Sequence, residues 1–132
     1  MMKAAADRLF EGTEAFHQAV IEALDCTRRE LVLVDRDFES WPLGSAEGER
    51  ALRGALMRGA HVRVMVIKPG WLQRHAHRFM NLRREFSARV EIREIPETLR
   101  VDESVLLADR QHLVRRAHHE SRTGRMILAT PS

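Results

Sequence analysis

From residue 13 to residue 27 the apolar residues Phe16, Ala19, Val20, Ala23 and Leu24 recur at steps of three and four, which predicts one buried face of a helix. Thr13 reads as its N-cap and Glu14 falls in its first turn. The next stretch changes period. Glu30-Leu31-Val32-Leu33-Val34-Asp35 is unbroken apolar from 31 to 34, the pattern of a parallel strand covered on both faces. A charged loop, residues 35–44, follows at the carboxyl end of that strand, where open α/β sheets place ligands. Ser45 then caps a helix running to about Arg58, with Ala51, Leu52, Ala55 and Leu56 on one face and Gly59 as its stop. His61-Val62-Arg63-Val64-Met65-Val66-Ile67 predicts a second buried strand, parallel to the first because the crossover between them is helical in length.

After Pro69-Gly70, a stripe of Leu72, His75, Phe79, Leu82 and Phe86 predicts a third helix, with Trp71 near its start. Residues 89–95 alternate strictly and stop at Pro96, as a strand with one solvated side does. Two short apolar runs, 105–108 and 112–114, flank the polar pair Asp109-Arg110 and predict a β-hairpin. Met126-Ile127-Leu128-Ala129 supplies a last strand. This order predicts an α/β fold, a mixed and mostly parallel β-sheet flanked by helices. No repeat or linker interrupts it, so a single domain is expected over residues 1–132, its core about 13–129.

Composition narrows the classes. The 132 residues, 44% hydrophobic and 31% charged, suit a globular chain, and neither a secretory leader nor a membrane-spanning run is present, so a cytoplasmic protein is expected. The single Cys26 cannot form an internal disulfide and sits on the pattern of the first helix, which favours an inert thiol. The net charge of +3 is unevenly spread. Residues 1–66 carry 9 basic and 11 acidic side chains, whereas residues 67–132 carry 13 and 8. In that basic half Arg74, Arg78, Arg83 and Arg84 recur at helical spacing, a candidate surface for a polyanion such as nucleic acid. Arg supplies 20 of the 22 basic residues, so solvated surface explains many of them equally well.

The stretch Arg100 to Glu120 carries the densest chemistry. Its spacing resembles the signature of the phospholipase D superfamily, in which a His, a Lys two residues on and an Asp five beyond precede a Gly-Ser-x-Asn element. Arg58-Gly59-Ala60-His61-Val62-Arg63-Val64 also resembles a helix-to-strand element of that family. The resemblance implies the family's fold over residues 13–129. In active relatives the His attacks phosphorus and the Lys stabilises the phosphate oxygens. Here Asp102 stands at the His position and Ser104 at the Lys position, while Asp109 alone matches. Arg116, Ala117 and His119 fall where the Gly, Ser and Asn would stand.

The resemblance therefore implies a pocket built from Asp102, Ser104, Asp109, Arg116 and His119 that lacks the groups for turnover, so no catalytic residue is assigned. Arg93 or Arg100 beside Arg116 and His119 could still hold a phosphate group. No cofactor or metal site is expected: adjacent His118 and His119 point to opposite faces of a strand, and His75 and His77 diverge on a helix. Three functions remain: a non-catalytic regulatory or anion-binding module, an enzyme of altered chemistry acting through Asp102, Asp109 and His119, and an oligomerisation scaffold. The last strand is expected to be left uncovered by the local chain, which predicts a symmetric homodimer unless the first helix folds back over it.

Overall fold

A computed structural model describes residues 3–118 and 120–130. Its elements are β1 (Lys3–Glu11), α1 (Thr13–Cys26), β2 (Glu30–Asp35), α2 (Ala46–Met57), β3 (His61–Val66), α3 (Gly70–His75), α4 (His77–Glu85), β4 (Val90–Glu94), β5 (Ser104–Ala108), β6 (His112–Arg116) and β7 (Thr123–Thr130). Short 3-10 turns at Pro42–Gly44 and Glu97–Leu99 join β2 to α2 and β4 to β5. The described strands form one sheet in the order β1-β7-β6-β5-β2-β3-β4.

The α/β sheet is mixed, but the expectation that it is mostly parallel fails. Only β2 with β3 and β3 with β4 run parallel, whereas β1–β7, β7–β6, β6–β5 and β5–β2 are antiparallel. The reason lies in the connections. Helical crossovers enforce parallel neighbours only between β2 and β4, and the three-residue turn after β5 permits nothing but antiparallel pairing. The first strand also went unread. Lys3-Ala4-Ala5-Ala6 has little strand propensity of its own, and β1 is held by its register with β7, from Lys3 opposite Thr130 to Glu11 opposite Thr123.

Burial alternates along the strands rather than covering both faces. Leu31 and Leu33 of β2 are fully buried while Val32 and Val34 are half-buried, and Val62 and Val64 of β3 are buried between the exposed His61 and Arg63. The buried set joins Phe16, Val20 and Leu24 of α1, Leu52 and Leu56 of α2, and Phe79 and Leu82 of α4 in one core cluster. The described helices thus cover one face of the sheet. Among the described residues the other face is open.

Local signals explain the element ends. Ser45 Oγ accepts the Gly48 N–H at 3.0 Å and caps α2, and Gly59 follows that helix with φ 101°, a conformation natural to glycine. Gly12, not Thr13, is the N-cap of α1. The single third helix is two, because Ala76 takes non-helical angles (φ −101°, ψ 58°) between α3 and α4. The last strand is not left bare as the sequence suggested: β1 pairs along its outer edge, and α1 packs against it on the core side.

A buried arginine site at the carboxyl end of the parallel strands

Three neighbouring strands bring three polar residues into one row. Asp35 is the last residue of β2, and β2 pairs with β5 through Val34 opposite Val105, which carries Asp35 to the level of Ser104. Ser104 in turn lies opposite Arg116, the last residue of β6. Their alternation places all three on the helix-covered face, with relative exposures of 0%, 0% and 4%. Burial of this kind requires partners.

The Ser104 hydroxyl donates to Asp35 Oδ1 and accepts from Arg116 Nη2 at 2.9 Å. The same Nη2 donates to Ser40 Oγ at 2.7 Å and stands 3.9 Å from Asp35 Oδ1, while Nη1 donates to the Ser121 carbonyl at 3.3 Å. The guanidinium lies 3.8 Å from the centroid of the Phe16 ring, a cation–π contact supplied by α1. His17, the next residue, donates from Nε2 to the Ser40 carbonyl at 2.7 Å. Burial holds the Arg116 guanidinium below its ordinary pKa range, with the Asp35 and Asp37 carboxylates acting in the opposite direction. It remains a cation at neutral pH.

Asp35 also shapes the loop above the site. Its Oδ2 accepts the N–H groups of Asp37 at 3.1 Å and Phe38 at 2.8 Å, turning the chain directly after the strand. Phe38 is fully buried in a left-handed conformation (φ 64°), an arrangement costing about 1–3 kcal/mol that its surroundings must hold in place. Trp41 packs on Phe38 at 4.9 Å and edge-on to Phe16 at 5.3 Å. Among the described residues, Arg116 Nε and Trp41 Nε1 are buried donors with no hydrogen-bond partner.

Of the pocket expected from the sequence, the fold joins Ser104 and Arg116. Asp109 is at the far end of β5, in the hairpin turn, where its carboxylate accepts the N–H groups of Arg28, Arg29 and Glu30 at 2.8, 2.7 and 3.0 Å. Burial raises its pKa, but these three donors outweigh that and hold it below the usual carboxylate value. Asp102 is exposed ahead of β5, and His119 lies outside the described residues. Arg100 is exposed with φ 45° at the end of the second 3-10 turn. Arg93 lies on the open face of β4, paired with Glu91.

Arg74, Arg78, Arg83 and Arg84 are exposed on α3 and α4, where Arg78 donates to the Gly44 carbonyl at 3.2 Å and Arg84 to Asn81 Oδ1 at 2.8 Å. Phe16, Asp35, Ser40 and Trp41 complete the site; the last three lie in the 35–44 loop expected to face a ligand, though none was named a site residue. The legible signal was an acidic residue ending an apolar strand. Among the described residues, no group of three or more His, Cys, Asp or Glu side chains could hold a metal ion, and no helix is long and apolar enough to cross a membrane.

The fold is phospholipase D-like, because solved structures of phospholipase D family members share it. The phospholipase D family member Nuc from Salmonella typhimurium matches with a TM-score of 0.67 at 16% identity, over 96% of this chain and 84% of that one. NucT from Helicobacter pylori matches with a TM-score of 0.53 at 12% identity, over 98% and 85%. TrmBL2, an archaeal chromatin protein with a novel mode of DNA binding, matches with a TM-score of 0.65 at 18% identity. The match covers 92% of this chain but only 45% of TrmBL2. None of the curated proteins matches the chain. By its sequence the chain belongs to the domain of unknown function family DUF7931, whose model spans residues 12–132.

Proposed function

We propose that this chain is a non-catalytic phospholipase D-like module that works by binding rather than by turnover. The observation that carries this reading is the buried set of Asp35, Ser104 and Arg116. Ser104 stands at the position of the family's lysine, and its hydroxyl is committed on both sides, to a carboxylate and to a guanidinium, with no exposed surface. A side chain so held can neither attack phosphorus nor present a mobile cation to it. At the position of the nucleophilic histidine, Asp102 offers an exposed carboxylate, which repels an anionic phosphodiester.

The test is turnover of a generic bis-aryl phosphodiester and of plasmid DNA. No activity above background is expected. Hydrolysis that survives purification and disappears in Asp102→Ala or His119→Ala would overturn the reading.

A second reading concerns what is bound. The exposed arginines of α3 and α4 support a polyanion, and the likeness to a chromatin protein described as binding DNA favours nucleic acid among polyanions. Self-association also fits an interaction module, through a surface other than the edge and core side of the last strand, which β1 and α1 cover. A cytoplasmic setting agrees with the single half-buried Cys26, whose thiol is raised in pKa by burial and by Asp25 and Glu22 and is therefore poorly reactive.

A further inference from the structure

We propose that the open face of the sheet binds the same face of a second copy of this chain. The inference deepens the self-association part of the reading above and names its surface. Strand register places Ile127, Leu113, Leu107 and Val32 side by side on β7, β6, β5 and β2. In the next row of the same face, Val105, Val34 and Met65 are neighbours on β5, β2 and β3. These seven side chains, all half-buried, form one continuous apolar block on five adjacent strands. At a strand spacing of about 4.8 Å the block is roughly 20 Å wide. Contiguous apolar surface of this kind marks an interaction site.

The border of the block decides the kind of partner. Arg125 pairs with Asp7 at 2.7 Å, Arg115 with Glu103 at 2.8 Å, Arg110 with Glu30 at 2.7 Å, Arg63 with Glu91 at 3.4 Å, and Arg93 with Glu91. Each of these bordering cations already has a carboxylate partner in the same chain, Arg63 and Arg93 sharing Glu91. Nucleic acid or an acidic peptide gains little from cations that are already paired, whereas an apolar surface with a similarly paired border fits. A second copy has that surface.

Shape adds an independent argument. At one corner of the face Leu9 of β1 projects into solvent, 81% exposed. At the opposite corner is a groove of about 140 Å³, lined by residues including Val32, His61, Arg63, Arg89 and Glu91. The midpoint between the two corners falls between β5 and β6, beside Leu107 and Leu113. A two-fold axis through that point, close to the strand direction, carries the Leu9 of each copy to the groove of the other. The two sheets then cross at a few tens of degrees, the range of aligned sheet packing. Seven strands of about six residues offer roughly 600 Å² per copy, the low end of what specific dimers bury.

Light scattering at micromolar concentration should give about twice the 15.2 kDa of one chain. Leu9→Asp, at a position too exposed to affect folding, should return the mass to that of one chain. As a second readout, Leu9→Cys combined with His61→Cys in a Cys26→Ser background should form covalent dimers on oxidation, because the two positions are remote within a copy and adjacent between copies. A single-chain mass for the unaltered protein throughout the micromolar range would overturn the proposal. So would a dimer that ignores Leu9→Asp and yields no cross-link, since its interface would lie elsewhere. Neither outcome bears on phosphodiester turnover, so this inference and the non-catalytic reading fail separately.

Discussion

Individual side chains in this protein hold the strand ends together. Asp35 serves two purposes at once: one oxygen orders the loop that buries Phe38, and the other receives Ser104 beside Arg116. Removing one member of a buried ion pair strands the other, so Asp35→Ala should cost about 3–5 kcal/mol in denaturant unfolding. Arg116→Met keeps much of the stem packing on Phe16, and the double variant should be clearly more stable than the sum of the two losses. Additive losses would mean that the two residues are not coupled. His112 gives a pH dependence. It is buried, its Nδ1 accepts the Ala129 N–H at 3.1 Å, and burial lowers its pKa from 6.5 against the opposing pull of Asp109. The unfolded chain therefore takes up a proton first as pH falls. The contribution of His112 is complete above pH 6.5 and is lost as pH drops from there through the folded-state value. Thermal unfolding between pH 7 and pH 5 should show a fall in midpoint that His112→Asn, which retains an acceptor, makes shallower.

At the scale of elements, α2 shows how capping and close approach differ in weight. Its cap is a single hydrogen bond, and Ser45→Ala should cost about 1 kcal/mol. Gly48 one turn later is another matter, because a Cβ there would stand 1.6 Å from the Pro42 carbonyl oxygen of the preceding 3-10 turn. Backbone cannot yield as a flexible side chain does, so Gly48→Ala should cost more than the cap, about 2–3 kcal/mol or more. Denaturant midpoints of the two variants give the order, and a Gly48→Ala protein as stable as the parent would show that the turn moves aside freely. The break at Ala76 has a related consequence, since it divides the four exposed arginines between α3 and α4 rather than along one helix.

For the molecule as a whole, charge and apolar surface are on different faces. The helical side carries the exposed Arg74, Arg78, Arg83 and Arg84, and the open side carries the apolar block with its paired border. Binding of polyanions should therefore use α3 and α4 and fall steeply with added salt, by about one order in affinity for each few phosphates contacted over a several-fold rise in salt. Retention of DNA on a column should weaken strongly when Arg78 and Arg84 are both changed to Glu. Unchanged retention would leave these arginines as ordinary surface.

Most helices and strands were legible because each carries its period in its own residues: the stripe of α1, the apolar run of β2, the Gly59 stop and the Asp109-Arg110 turn are local chemistry. The resemblance of residues 100–120 to a phospholipase D signature pointed to a fold that solved structures share. Strand β1 and the direction of most pairings were not legible, because a run of alanines becomes a strand only when β7 offers its edge. The site was half legible. Ser104 and Arg116 were named from that resemblance, while Asp35, 69 residues from Ser104 in the chain, joins them only across strand neighbours. Periodicity determines which face of an element seeks cover, since burial of apolar area is a property of a residue and its near neighbours. Which polar groups meet in that cover is decided by tertiary register, because an ion pair inside the core depends on distances that no local pattern encodes.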